Sequence, residues 1–359
     1  MHARRDGKAC REANRGRDEA LEGDDSSRVN AAALLEEALY LAKSQQRSVR
    51  LEARSEEGGG IMLSPNVLRV LDSVGVCKRV CDNSLQFDNT DKYYFGYEAI
   101  RIMRKELLDE MKAMLRERHI PIHYESKLTT ITNGPNKGDF TFPNGQTASA
   151  PILIGANGIH STVCGTFLPE VRPIYAGFMG INSVVKRSQL RIPDGYNLPA
   201  TVTAKLGAFL LVLQRLDGSE LFDKQKLYGM LQENKTDWLD VVQFALEAVP
   251  VDRMGFWAFY GISPLESWLS ESKRIILVGD AAHIIPPTAC QSANQTFKDV
   301  RGLATLISKL SPDVPLDRAA AQWKACRQGR IKKVLDLTQK MNAKRLPESE
   351  RAKLPPGEI

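Results

Sequence analysis

Apolar positions along the chain switch period several times, and the switches mark out its elements. From Asn30 the stretch NAAALLEEALYLAKSQQ places Leu34, Leu35, Ala38, Leu41 and Ala42 on one face at helical spacing, with Asn30 as its N-cap. SVRLEA (Ser48–Ala53) has the character of a short strand, and Gly58-Gly59-Gly60 of a turn. SPNVLRVLDSVGV (Ser64–Val76) is amphipathic and closes at Gly75. A further helix is expected from about Ile100 until Pro121 stops it. PIHYES then predicts a strand, and alternation through Leu128–Ile131 with an Asn133-Gly134 turn predicts a hairpin. In APILIGANGIHSTV, Pro151–Ile154 forms a buried strand and Gly155 to Gly158 a tight turn into a helix.

Beyond residue 168 the text changes. KLGAFLLVLQ (Lys205–Gln214) and MGFWAFYGI (Met254–Ile262) are rich in aromatic and branched residues and flank helical text. RIILVGDAAHIIPP (Arg274–Pro287) is again a buried strand ending in Gly-Asp, and the chain from there to about Arg345 is helical. The expected division is a disordered extension over 1–29, a first α/β part over 30–167, a strand-rich insertion over 168–265, a return with a C-terminal helix over 266–345, and a flexible tail over 346–359.

Composition adds exclusions. No apolar run approaches the length of a membrane-spanning helix, so no stable membrane insertion is expected. The N-terminal text has no apolar signal region, which predicts a cytoplasmic protein with its six cysteines as free thiols. The net charge of +6 resides in residues 321–359, where ten Lys/Arg face four Asp/Glu. Without zinc-finger spacing, an RNA-binding signature or basic–aromatic interleaving, this is a solvated basic helix and predicts no nucleic-acid partner. Binding of that helix at a membrane surface is a weaker third possibility.

Two strand–turn segments carry candidate chemistry. Asp280 stands at the carboxyl end of an apolar strand, the edge where α/β proteins bind ligands, and a carboxylate there can accept hydrogen bonds from polyol hydroxyls. A helix beginning near Ala289 can offer backbone N–H groups to an anion. Glu52 ends an early strand, where a dinucleotide-binding unit places its ribose-binding acid.

In this order the segments resemble the single-component flavoprotein monooxygenases of the aromatic-hydroxylase group, which includes salicylate hydroxylase and the tetracycline-inactivating flavoenzymes. The resemblance runs from about Asn30 to Pro347. It rests on GDAAHIIPPTACQSANQTFKDV (Gly279–Val300), GANGIHSTV (Gly155–Val163), LEARSEEGGGIMLSPNVLRVLDSVGV (Leu51–Val76) and RKEL (Arg104–Leu107). It implies an α/β fold: an incomplete Rossmann-like FAD-binding domain with an inserted antiparallel-sheet substrate domain and C-terminal helices. It implies FAD and NAD(P)H as cofactors, with Glu52, Gly60, Arg104, Asn157, Asp280, Pro287, Ser292 and Ala293 as cofactor-binding positions. It assigns no catalytic acid or base; His283 is expected to pack beside the flavin loop.

The departures are specific. The family opens with a strand and Gly-x-Gly-x-x-Gly, whose helix N-terminus holds the pyrophosphate. Here Gly23-Asp24-Asp25-Ser26-Ser27-Arg28-Val29 precedes the first helix, and two carboxylates repel a phosphate. The switch near Asn30 suggests an N-terminus altered by a wrong exon boundary or a deletion. The Asp of the Asp-Gly motif is Asn157, its usual later Arg is Cys164, and Gly-Gln-Gly is Cys290-Gln291-Ser292, with β-carbons where close approach is wanted.

The expected activity is hydroxylation or epoxidation of an aromatic or polyketide-like small molecule with NAD(P)H and O2, in secondary-metabolite biosynthesis. Phe209, Leu211, Trp257, Phe259 and Tyr260 are candidate pocket-lining positions. The alternative is a flavoprotein-like pseudoenzyme or metabolite cyclase without redox turnover. Both readings require the loops at Asn157 and Asp280 to converge, with Glu52, on one cleft.

Overall fold

The computed structural model describes residues 49–50, 60–87, 96–124, 126–185, 202–203, 207–215, 223–233, 235–237, 240–345 and 352. The expected extension, the first helix and Glu52 lie outside the described residues.

Strand β1 (Val49–Arg50) is followed by β2 (Gly60–Leu63), helix α1 (Pro65–Asp72), β3 (Leu85–Phe87) and β4 (Ala99–Met103). Ser64 has extended φ/ψ and Pro65 occupies the first helical turn of α1, where its missing N–H costs nothing. Helix α2 (Arg104–Glu117) buries Leu107, Leu108, Met111, Met114 and Leu115. It ends with His119 in the left-handed region (φ 54°) and Ile120 N–H donating to Leu115 O at 2.9 Å, a Schellman closure.

The helix expected from Ile100 is thus a strand followed by a helix. Residues 99–103 pair antiparallel with both β2 and β3, a central position whose burial masks the period-2 signal. Helix text begins only at Arg104.

Next come β5 (Ile122–His123), parallel to β1, and a meander of β6 (Thr130–Asn133), β7 (Gly138–Thr141) and β8 (Thr147–Ala150). Strand β9 (Leu153–Gly155) leads into helix α3 (Thr162–Phe167). Strands β10 (Ile174–Val185), β11 (Val202–Thr203) and β12 (Gly207–Arg215) precede helices α4 (Lys224–Glu233) and α5 (Asp240–Glu247), and β13 (Gly255–Gly261) follows them. The chain returns through β14 (Ile275–Leu277) to helices α6 (Ser292–Ile307) and α7 (Leu316–Arg345).

The inserted sheet has the order β11-β12-β10-β13 and is antiparallel throughout. Strands β9 and β14 pair in parallel, Leu277 opposite Gly155, although nearly 120 residues separate them in the chain. This is the expected architecture: an α/β scaffold interrupted by an antiparallel sheet. Three cores support it. One joins α1, α2 and β4, a second gathers around β14, α6 and α7, and a third lies between the inserted sheet and α4 and α5. Among the described residues no helix is long and apolar enough to cross a membrane.

Candidate functional site

Parallel pairing of β9 with β14 brings two predicted loops to one sheet edge. Val278 N–H donates to Gly155 O at 3.1 Å, so the turns carrying Asn157 and Asp280 leave adjacent strands in the same direction.

In the first turn, Ser161 caps α3 by accepting from Cys164 N–H at 3.0 Å and donates its own proton to Asn157 Oδ1 at 2.5 Å. Asn157 Nδ2 donates to Thr162 Oγ1 at 3.1 Å, so its amide organises the turn and tethers it to the helix cap. Gly158, at φ 86°, adopts a backbone that side-chain-bearing residues avoid. Gly155 has a different reason to be glycine than approach to a ligand. A β-carbon there would lie 2.7 Å from Val163 Cγ1 and 3.0 Å from Leu277 Cδ2, so its bareness lets α3 pack on the strand pair.

The second turn is built around a buried carboxylate. Gly279 has φ 60°, and both Ala282 and His283 N–H donate back to Gly279 O at 2.8 Å. Asp280 is buried and accepts Ser292 Oγ at 2.5 Å, which ties it to the first residue of α6. That helix starts at Ser292 rather than Ala289, after a 3-10 turn at Pro287–Ala289 and a left-handed Cys290 (φ 52°). Gln291 makes no side-chain cap, and the first-turn N–H groups of α6 follow directly on the Asp280–Ser292 contact. Cys290 is exposed while its backbone takes the conformation a glycine would hold at less cost.

A third polar link brings in the β2 edge. Asn294 is almost wholly buried. Its Oδ1 accepts Ser64 N–H at 2.9 Å and Ser64 Oγ at 2.8 Å, and its Nδ2 donates to Met62 O and Cys290 O, both at 3.0 Å. Gly60 lies opposite Met103 in the β2–β4 ladder, and Arg104, the buried first residue of α2, directly follows β4. The β-carbon of Ala293 sits in the first core. Asp280, Pro287, Ser292 and Ala293 therefore surround the N-terminus of α6, Gly60 lies on the sheet bonded to it with Arg104 just past β4, and Asn157 shares the edge with Asp280. Asn294 was missed in the sequence, and its only signal was its place inside the Gly279–Val300 motif.

The inserted sheet presents two faces. Ile181, opposite Val212 and Phe256, is buried with Leu227, Leu231 and Leu246 of α4 and α5. Positions 182 and 211, and 180 and 257, pair on the alternate face, and position 209 shares it. The side chains of Phe209, Leu211 and Trp257 lie outside the described residues. Phe259 is buried, and Tyr260 stacks edge-on against His160 of the Asn157 turn at 6.1 Å and against Tyr175 at 5.9 Å. An open hollow of about 440 Å3 lies between His123, Tyr124 and Ser126 on one side and Phe142, Asn144 and Gln146 on the other. None of the predicted site residues lines it.

These residues suit the polyol and ring portion of a flavin. A buried acceptor carboxylate stands beside uncapped helix N–H groups, which match hydroxyl donors and carbonyl acceptors respectively. Gly23–Val29, which stands where the family carries its glycine-rich pyrophosphate element, lies outside the described residues.

A family model described as an FAD binding domain matches residues 266–336. Hispidin-3-hydroxylase of Neonothopanus nambi is 24% identical, over 77% of this chain and 78% of that protein. The FAD-dependent monooxygenase idtM of Claviceps paspali is 21% identical over 60% of this chain, which spans only 49% of idtM. Among solved structures, HpxO of Klebsiella pneumoniae complexed with FAD and uric acid superposes with a TM-score of 0.74 at 18% identity, over 89% of this chain and 88% of that one. The chain is thus similar, in motif and in fold, to FAD-dependent monooxygenases of the aromatic-hydroxylase type.

Proposed function

We propose, from that likeness, that the chain is an FAD-dependent monooxygenase that uses NAD(P)H and O2 to hydroxylate or epoxidise an aromatic or polyketide-like small molecule in secondary-metabolite biosynthesis. The observation that carries the reading is the convergence of Asp280, the α6 N-terminus and the Asn157 turn at one edge, held by the Ser292–Asp280 and Asn294–Ser64 bonds. When bound, FAD supplies the redox chemistry by which O2 becomes a hydroxylating agent.

The protein's part is placement. Asp280 would accept hydrogen bonds from the ribityl hydroxyls, and the first-turn N–H groups of α6 would meet the ring carbonyls, with Ser292 holding the Asp280 carboxylate. Gly60 of β2, Arg104 of α2 and Pro287 would help hold the flavin, and Glu52 would take the adenosine ribose. Residues 30–167 and 266–345 form the cofactor domain. Residues 168–265 form the substrate domain, whose sheet would wall off water. The free thiols found at all five described cysteines fit a cytoplasmic enzyme.

The test is titration of the purified protein with FAD, followed by NADPH oxidation in the presence of candidate phenols. A yellow complex absorbing near ~450 nm, with phenol-stimulated NADPH consumption, is expected. A protein that stays colourless at saturating FAD overturns the proposal.

A further inference from the structure

The Asp280 turn is gripped from a second side by a buried network outside the predicted set. Asp299 is fully buried on α6. Its Oδ2 accepts Gly279 N–H at 3.1 Å and lies 2.6 Å from His283 Nε2, and its Oδ1 accepts Arg327 Nε of α7 at 2.6 Å. Arg327 Nη2 continues to Gln295 O at 3.2 Å and Gln295 Oε1 at 3.0 Å, which fixes the guanidinium plane. Trp323 Nε1 donates to Asp299 O at 3.1 Å, and its indole fits where a β-carbon on Gly302 would come within 3.1 Å. Trp268 lies against the His283 ring at 5.1 Å.

Ser292 and Asp299 are seven residues apart, two turns of one helix, so α6 holds the Gly279-Asp280 turn at two points: the Asp280 carboxylate and the Gly279 N–H. His283 Nδ1 is buried and makes no hydrogen bond, so the ring is held through Nε2 against Asp299. Burial pushes the Asp299 carboxyl upward, but His283 and Arg327 outweigh it and hold the group below the usual carboxylate range. A charged carboxylate buried this deeply keeps its place only while its cationic partner is present.

We propose that Asp299 is a positioning residue for the Asp280 turn and that Arg327 couples this turn to the C-terminal helix. The consequence for flavin affinity rests on the function proposed above; the coupling itself does not.

The experiment compares wild type, Arg327→Met and the milder Arg327→Lys. Hydrogen exchange at the Gly279 amide is measured on flavin-free protein, alongside FAD titration and visible circular dichroism of any bound flavin. In R327M, Gly279 exchange should rise about tenfold beyond any change in global stability, and FAD affinity should fall about tenfold with an altered flavin dichroism band. R327K should recover most of both. Unchanged Gly279 exchange and FAD affinity in R327M, with only a lowered melting temperature, would overturn the proposal. If exchange responds but wild type takes up no FAD, the coupling stands and the flavoprotein reading falls. If wild type binds FAD tightly while R327M leaves Gly279 exchange unmoved, the coupling falls and the flavoprotein reading stands.

Discussion

The region around α6 and the inserted sheet reach stability by opposite means. The inserted sheet is a backbone ladder with its own apolar core, in which Ile181, Leu227 and Leu246 pack together. Around α6, segments 230 positions apart are joined by individual side-chain hydrogen bonds, such as those of Asn294 with Ser64. A ladder with a local core tolerates exchange of side chains that point away from that core, which suits the substrate-wall role proposed for it. A buried polar knot tolerates little, because each atom deprived of its partner keeps its desolvation cost.

The comparison breaks most sharply at Asn294. Asn294→Ala removes four hydrogen bonds and leaves Ser64 N–H without its acceptor. A loss of roughly 3–4 kcal/mol is expected in urea unfolding, together with about tenfold weaker FAD binding. A loss of stability without any loss of flavin affinity would show that α6 and the β2 edge are not one site.

Leu227→Ala tests the other region. Leu227 is fully buried in the third core, and its truncation should cost about 3 kcal/mol through lost contact and a residual cavity. FAD affinity should remain within twofold of wild type, since none of the described residues proposed to hold the cofactor packs there. A parallel fall in flavin affinity would mean that the two regions are not energetically separable.

What could be read beforehand divides along the same line. That Asp280, Pro287, Ser292 and Ala293 cluster around one turn and one helix start was legible because a short contiguous motif carries them. The partners that fix this motif were not. Arg327 lies 28 residues beyond Asp299 on a helix whose polar text gives no sign of an inward guanidinium. Residues 99–103 were misassigned because a strand buried between two neighbours loses its alternation, and the helix that follows it supplied the apparent period. Gly155 shows a subtler limit: glycine was right, but its reason is the approach of Val163, which no local pattern announces.

The smallest expected effect comes from Lys298, a cation beside the network with no acidic partner in it. Burial, then Arg330 and Arg327, pull its ammonium pKa down to about 8. Its folded pKa lies below the unfolded value of ~10.4, so between these two values the unfolded chain binds more protons than the native protein. Stability contributed by this group must therefore rise as pH increases through that window and stay flat below about pH 8. Lys298→Met should abolish the rise and stabilise the protein at pH 7 by about 1 kcal/mol, a figure discounted because the ammonium is still partly solvated. Melting curves at pH 7 and pH 10 decide it. If K298M lowers stability at pH 7, the ammonium has a favourable role on the α6–α7 seam, and the polar knot includes the position next to Asp299.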